Sequence, residues 1–261
     1  MRRYLRIVLL FARLEAQFEL AYRTNFVFDL LQQVVITATS LGAVLILFSY
    51  TETMNGWTLP AMIVVVGVFY IVQGIGDLVF LPSAQQLIEQ VRLGTLDFVL
   101  LKPLDAQFFV SLRRIKFTAI VEIALGVGIV AVGFAKLGTL DLLAGLLFLI
   151  TLACGVVLVY VLLLVLGTLA FWFVRVENLL VVYEAFTDAA RFPIDIYPFW
   201  LRFAMSSVVP VGIAVTVPAQ AVSGRLDALG VAAILAATAG AVAFGRWFWK
   251  TGLRSYTGAS A

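Results

Sequence analysis

The chain has 261 residues, of which 63% are hydrophobic and only 13% are charged, and its mean hydropathy is +1.07. A water-soluble fold has too little interior to bury so much apolar surface, so the composition predicts a protein that crosses a membrane several times. The net charge of +3 is too small, and too far from any soluble face, to indicate nucleic-acid binding.

Residues 1–24 begin the chain with an amphipathic pattern. Arginines and a glutamine share one helical face while leucine, valine and alanine share another, which predicts an interfacial helix on the cytoplasmic leaflet. A plain basic anchor that only orients the chain is the alternative. No signal peptide is expected, because Arg13 and Glu15 interrupt the apolar core and no A-x-A-like site follows.

Six spans follow from the hydropathy pattern, since each needs about 20 mostly apolar residues. Pro82 is expected to end the second span. Residues 193–226 contain four of the seven prolines, which predicts a re-entrant segment on the outer side. The predicted spans are residues 27–50, 59–81, 114–136, 142–173, 176–192 and 228–250 of a single transmembrane domain, 1–261.

The placement of lysine and arginine predicts the orientation. With six spans and a cytoplasmic N-terminus, fourteen of these residues lie on inner segments and four on outer ones. That bias agrees with the positive-inside rule, so we predict that both termini are cytoplasmic. A seventh span at Phe203–Gly224 would place the basic C-terminal end outside, and we reject it.

The cytoplasmic loop, residues 82–113, contains the most informative local pattern. Gly94 is expected to end a polar helix, and Thr95 to cap a second short helix that Pro103 terminates. The second helix would present Phe98 and Leu101 beyond the bilayer between charged residues. Such a helix suits docking into a groove of a soluble partner, and a helix lying flat on the membrane is the alternative.

This loop resembles a motif of a known transporter family. The residues Gly94-Thr95-Leu96-Asp97-Phe98-Val99-Leu100-Leu101-Lys102-Pro103-Leu104 are similar to G-x-L-D-x-x-L-L-K/R-P-L, found in ABC transporter permeases of the type-two exporter superfamily, in its small six-span branch. Two more stretches resemble the same branch: RFPIDIYP at 191–198, followed by Val209-Pro210 and Pro218-Ala219, and WKTGLRSYT at 249–257. With the hydropathy pattern, the resemblance covers nearly the whole chain.

The resemblance implies a membrane permease that forms the pathway of an ATP-driven exporter in a bacterial cell membrane. Its partners would be a separate ATPase subunit, which binds ATP and Mg²⁺, a second identical or similar permease, and membrane lipid. This chain itself would hold no cofactor, and segment 193–218 would cap the outer side of the pathway. The predicted fold is therefore all-α, with six transmembrane helices, an N-terminal interfacial helix, a cytoplasmic coupling helix and a re-entrant segment. The ATPase-coupling residues would be Gly94, Thr95, Leu96, Asp97, Phe98, Leu101, Lys102 and Pro103.

Polar residues at helical spacing on the predicted spans are candidates for the pathway. Ionisable groups at membrane depth are costly and usually face a wet cavity or another protein surface. The candidates for a pathway or a subunit interface are Gln33, Thr37, Asp77, Glu184, Asp188 and Arg191. Hydrogen bonds between helices and a self-contained Asp188–Arg191 pair are the alternatives. Glu122 stands alone in the third span, and we expect it to pair with a neighbouring cation.

The residues that are missing argue against an enzyme. The chain has no histidine, its one cysteine (Cys154) lies in an apolar run, and no G-x-x-x-x-G-K-[ST] motif for nucleotide phosphates occurs. A stand-alone secondary carrier or channel that uses intramembrane carboxylates is the alternative function. It predicts inverted repeats, and residues 26–136 and 142–250 show no convincing similarity. A membrane assembly factor is a third hypothesis.

Overall fold

The computed structural model describes residues 2–21, 23–103, 105–138, 141–173 and 176–256, and nearly all regular structure there is helical. Five of the helices described are long and apolar enough to cross a membrane, or six if one bent pair counts as a span. The prediction of an all-α polytopic membrane protein is confirmed. The helices are α1 (Arg2–Ala21), α2 (Arg23–Tyr50), α3 (Leu59–Ile75), α4 (Leu81–Arg92), α5 (Asp97–Leu100), α6 (Ala106–Ser111), α7 (Ala119–Leu137), α8 (Leu142–Thr168), α9 (Glu177–Ala189), α10 (Phe199–Phe203), α11 (Val211–Val222) and α12 (Ala228–Ser255).

The bundle has two distinct ends. A two-stranded antiparallel hairpin, β1 (Thr53–Met54) with β2 (Trp57–Thr58), lies at the end that we call the hairpin end. Residues 93–103 lie at the opposite end, which we call the loop end. There the ring of Phe171 packs against the rings of Trp249 and Tyr256, with centroid distances of 5.7 and 5.6 Å.

Helix α3 is the buried centre of the fold, and it packs against α7 through small residues. A side chain on Gly67 would meet backbone atoms of Val130 and Gly126, and one on Gly126 would meet the backbone of Gly67 and Ile71. Small residues let two membrane helices approach closely enough for extensive van der Waals contact. Packing of this kind positions α3 and α7 on two sides of the site described below.

Replacing Gly126 with alanine is expected to lower the free energy of unfolding by about 1–3 kcal/mol. The new Cβ would lie 2.8 Å from both the Gly67 carbonyl oxygen and the Ile71 nitrogen, and backbone atoms cannot move aside cheaply. Gly128 on the same helix is the matched control, because a Cβ there meets nothing within 4 Å and alanine favours a helix. Thermal unfolding in detergent measures both variants, and equal losses would contradict the close contact.

Pro82 does not end the helix of the second predicted span, although the sequence predicts a helix end there. A π-helical turn, Gly76–Phe80, joins α3 to α4, and the N–H that Pro82 lacks leaves the Leu78 carbonyl free to accept from the backbone N–H of Lys116 at 2.8 Å. The continuous run Leu59–Arg92 has 34 residues and is about 51 Å long. It therefore extends well beyond a hydrocarbon core about 30 Å thick, and residues 82–92 of the predicted loop are helical.

The third span begins later than predicted, at Ala119 rather than at residue 114. The backbone N–H of Lys116 donates to the carbonyl of Leu78 at 2.8 Å, and that of Arg114 donates to the Ser83 hydroxyl at 3.2 Å. These bonds hold the non-helical stretch before α7 along the π turn and α4. The stretch brings Lys116 next to the membrane-facing part of the bundle.

The fifth predicted span is also shorter than expected. Helix α9 has 13 residues and is about 20 Å long, so it is not among the helices that cross a membrane by length. It nevertheless connects the two ends, because it follows Phe171 at the loop end and precedes Asp195, whose backbone carbonyl accepts a hydrogen bond from Asn55 of the hairpin at 2.8 Å.

The proline-rich stretch before α12 is broken, as the sequence indicates. The segments Phe199–Val208 and Val211–Val222 meet at an angle of 96°, with Pro210 at the break. Asp195 ties this region to the hairpin end, since its backbone carbonyl also accepts from Arg202 at 2.8 Å. The guanidinium of Arg225 lies 4.5 Å from the Trp57 ring centroid. The broken segment is therefore anchored to the hairpin.

Candidate functional site

The short helix α5 follows a sharp turn at the end of α4. Gly94 adopts a left-handed conformation with φ of 67°, and the N–H of Thr95 donates to the carbonyl of Gln90 at 2.9 Å. The predicted Thr95 cap is wrong: Leu96 precedes α5 and no side chain caps the helix, which has only the four residues Asp97–Leu100. Thr95 belongs to the turn itself, because its N–H completes the end of α4.

The two faces of α5 differ sharply. Leu96 and Val99 are buried in a cluster whose other members come from α4, α6, α8 and α12: Leu87, Phe109, Val110, Leu164 and Trp249. On the opposite side Leu93, Phe98 and Leu101 are 60%, 70% and 81% exposed. We call these three residues the loop-end apolar surface. The segment thus presents apolar side chains outward while its other face is fixed to four helices.

Charged and aromatic groups surround this surface. The Lys102 ammonium lies 4.3 Å from the centroid of the Phe109 ring, and Pro103 beside it is exposed. Burial, and then the nearby charge of Asp97, raise the pKa of the Tyr256 hydroxyl at the end of α12, which places this tyrosine beside α5. Leu104 and Thr257 of the two sequence motifs lie outside the described residues.

Helix α1 also contacts the loop end. The ring of Phe11 meets the ring of Phe109 edge to face at 5.3 Å, and Glu15 lies 3.8 Å from the guanidinium of Arg114. Arg6 and Arg13 on the same helix are exposed. The N-terminal helix is therefore packed on α6 and on the stretch before α7.

A polar cavity of about 120 Å³ lies between α2, the end of α3 and the start of α7, and we call it the inner polar cavity. Glu122 is only 5% exposed there. The Oε1 atom of Gln73 and the Oγ1 atom of Thr118 are buried and have no hydrogen-bond partner among the described residues. The lining consists of Asp29, Gln32, Gln33, Gln73, Asp77, Lys116, Thr118, Ala119 and Glu122.

The cavity lies towards the loop end of the membrane-spanning part. Asp77 is 18 residues after Leu59 along a continuous helix, hence about 27 Å from the hairpin end. The structure brings together the predicted residues Gln33 and Asp77, and it adds Asp29, Lys116 and Glu122, which the sequence pattern did not select. Lys116 and Glu122 line the same cavity, and the pairing of Glu122 with a cation stays a prediction.

The acidic residues of α9 lie elsewhere. Glu184 and Asp188 are exposed on the surface of the bundle and do not line the inner polar cavity. Arg191 donates to Asp188 at 2.7 Å and to the Ser40 hydroxyl at 3.4 Å, and its guanidinium is 5.5 Å from the Phe69 ring centroid. The Asp188–Arg191 pair foreseen as an alternative is therefore present. The side chain of Glu177 lies outside the described residues.

The polar stripe of α2 connects these two regions. Gln33 lines the inner polar cavity, and Ser40, seven residues or about 10 Å further along the helix, accepts the hydrogen bond from Arg191. Thr37 lies between them, 4% exposed, and its hydroxyl has no partner among the described residues. Arg191 also lines a mostly apolar cavity of about 370 Å³ beside α2. The six predicted residues thus form two groups joined along α2.

Comparison with known families agrees with this architecture. A family model described as "ABC-2 family transporter protein" matches residues 34–260, which is most of the chain. The chain belongs to the ABC-2 transporter family. No curated protein and no solved structure matches it. As an ABC-2 protein with several long apolar helices, it is an integral membrane permease component of an ABC transporter, and in general such components associate with an ATPase subunit. The resemblance inferred from the three sequence motifs is confirmed.

Proposed function

We propose that this ABC-2 permease forms the pathway of an exporter driven by a separate ATPase chain that docks on the loop-end apolar surface. The observation that carries the proposal is the two-sided α5 segment. Phe98 and Leu101 are exposed where a soluble groove can receive them, and Leu96 and Val99 are buried. A short apolar helix with charged flanks is a common ligand for such a groove.

The packing of α5 supports its use as a mechanical connection. Leu96 and Val99 contact the cluster that contains residues of α4, α6, α8 and α12. Helix α4 continues through the π turn into α3, the buried centre of the bundle. A displacement of α5 by ATPase closure would therefore be passed to the spans, and the ATPase would favour one arrangement of them over the other.

The exposed carboxylates of α9 support a second permease beside this one. Arg191 lies over Phe69, about 15 Å along α3 from its first residue, so Asp188 is at membrane depth. Glu184 is deeper by one helical turn. Carboxylates facing lipid are costly, so we infer that α9 faces an identical or similar permease with the cargo pathway between them.

The orientation follows from the proposed docking. An ATPase that binds ATP and Mg²⁺ works in the cytoplasm, which places the loop end on the cytoplasmic side of a bacterial cell membrane and the hairpin end outside. The excess of lysine and arginine on the same side agrees with this orientation. Both chain termini are then cytoplasmic, and the exposed arginines of α1 lie near the anionic leaflet.

Reconstitution tests this function directly. The tagged permease is purified with its partner ATPase and placed in proteoliposomes, and we expect ATP hydrolysis that the permease stimulates and that vanadate inhibits. A hydrolysis-deficient ATPase in the same complex is the control and should give no ATP-dependent efflux. Efflux that persists at full rate without any ATPase would overturn the proposal in favour of a secondary carrier.

A further inference from the structure

We propose that the inner polar cavity binds an organic ammonium group, so that molecules carrying a protonated amine are cargo of this permease. The description of these molecules as cargo rests on the proposed function, whereas binding in the cavity depends on this chain alone. It is carried by the charges that face the cavity, the buried oxygen atoms without partners, and the position of the cavity at the loop end.

The charges that face the cavity favour a cation. Three acidic side chains line the cavity: Asp29 of α2, Asp77 of the π turn and Glu122 of α7. Among the described lining residues, Lys116 is the basic one. Lys116 is itself exposed and its backbone is already bonded to Leu78. A positively charged ligand would be attracted by these carboxyl groups and would favour their ionised form inside a largely apolar protein at membrane depth.

The hydrogen-bonding groups favour a ligand that donates. The side-chain oxygen of Gln73 is a buried acceptor with no partner among the described residues, and the buried Thr118 hydroxyl has none there either. Each such group costs free energy until a donor reaches it. A primary ammonium supplies three N–H donors as well as its charge, and Glu122, 5% exposed, supplies a carboxylate on the same cavity.

The arrangement of the carboxylates distinguishes an organic cation from a metal ion. In the described part of the chain, no group of three or more aspartate, glutamate, cysteine or histidine side chains converges closely enough to hold a metal. The cavity volume of about 120 Å³ leaves room for an amine with its substituent. From this cavity the polar stripe of α2 leads through Thr37 towards the hairpin end.

Binding to the purified permease without ATPase tests the inference. The probes are benzylamine, which is protonated at pH 7, and benzyltrimethylammonium, which has the same charge but no N–H donor. Saturation-transfer NMR in detergent measures the binding of each probe. We expect saturable binding of benzylamine and at least about tenfold weaker binding of the trimethyl compound. Equal affinities, or no saturable binding of benzylamine, would overturn the proposal.

Three cavity variants and one control locate the binding. Glu122→Gln and Asp77→Asn should each weaken benzylamine binding at least about tenfold, and the control Glu52→Gln, an exposed carboxyl of the hairpin end, should leave it unchanged. Gln73→Leu removes a buried oxygen that has no partner among the described residues, so it should weaken binding severalfold. Normal binding in all three cavity variants would overturn the proposal. If benzylamine does not bind but the ATPase still drives export, the cavity proposal fails and the proposed function stands. If benzylamine binds but efflux needs no ATPase, the proposed function fails and the cavity proposal stands.

Discussion

Replacing Phe98 and Leu101 together with aspartate is expected to reduce ATP-driven export about a hundredfold or more while the permease remains folded. Both side chains are largely exposed, 70% and 81%, so the fold loses little apolar packing when they change. In the proposed complex they enter an apolar groove of the ATPase, where two carboxylates would be desolvated without partners. Co-purification of the ATPase and the initial rate of export measure the effect.

A control at the opposite end makes the result specific. Tyr50 is 88% exposed near the hairpin, so Tyr50→Asp adds a carboxylate to the surface without approaching the loop end. It should retain ATPase binding. If the Phe98/Leu101 variant retains normal ATPase binding as well, the docking surface lies elsewhere and the proposed coupling through α5 is wrong.

Replacing Asp188 with alanine is expected to destabilise the permease by about 2–3 kcal/mol. Arg191 would keep its charge at membrane depth, and its Nε atom is already buried without a partner among the described residues. The lost contact is the 2.7 Å hydrogen-bonded ion pair. Thermal unfolding in detergent and in lipid nanodiscs measures the change.

The double variant Asp188→Ala/Arg191→Leu separates structure from transport. Removing both charges leaves no unpaired ion, so most of the lost stability should return. Export should stay impaired if α9 faces the pathway, as we propose. Full export in the stable double variant would show that the pair is only structural, whereas a double variant less stable than Asp188→Ala alone would contradict the ion-pair argument.

Local patterns predicted the helices well where a single physical rule decides the outcome. Gly94 ends α4 in a left-handed conformation because glycine has no Cβ to clash there. The exposure of Phe98 and Leu101 follows from their place on a helix too short to bury both faces. The broken segment at Pro210 follows from the missing N–H of proline. Two expected helix boundaries differ from the structure, because no single local rule decided them.

Pro82 and α9 are such cases. Helices normally break before proline, but the π turn Gly76–Phe80 lets the backbone continue, and contacts with the stretch before α7 hold that turn in place. Helix α9, Glu177–Ala189, covers only part of the predicted span 176–192. Neither outcome has a signature in the residues nearby.

The amino-acid sequence by itself determined that this protein is an all-helical membrane protein with few charges, 18 basic and 15 acidic residues in all. This holds because hydropathy and span length are properties of contiguous residues. Only the tertiary structure decided which of those charges meet. Asp29, Asp77 and Glu122 are far apart in the chain, and they line one cavity because the glycines of α3 and α7 let those helices approach closely. The same packing left Glu184 and Asp188 outside that cavity, on the surface where we propose a second permease.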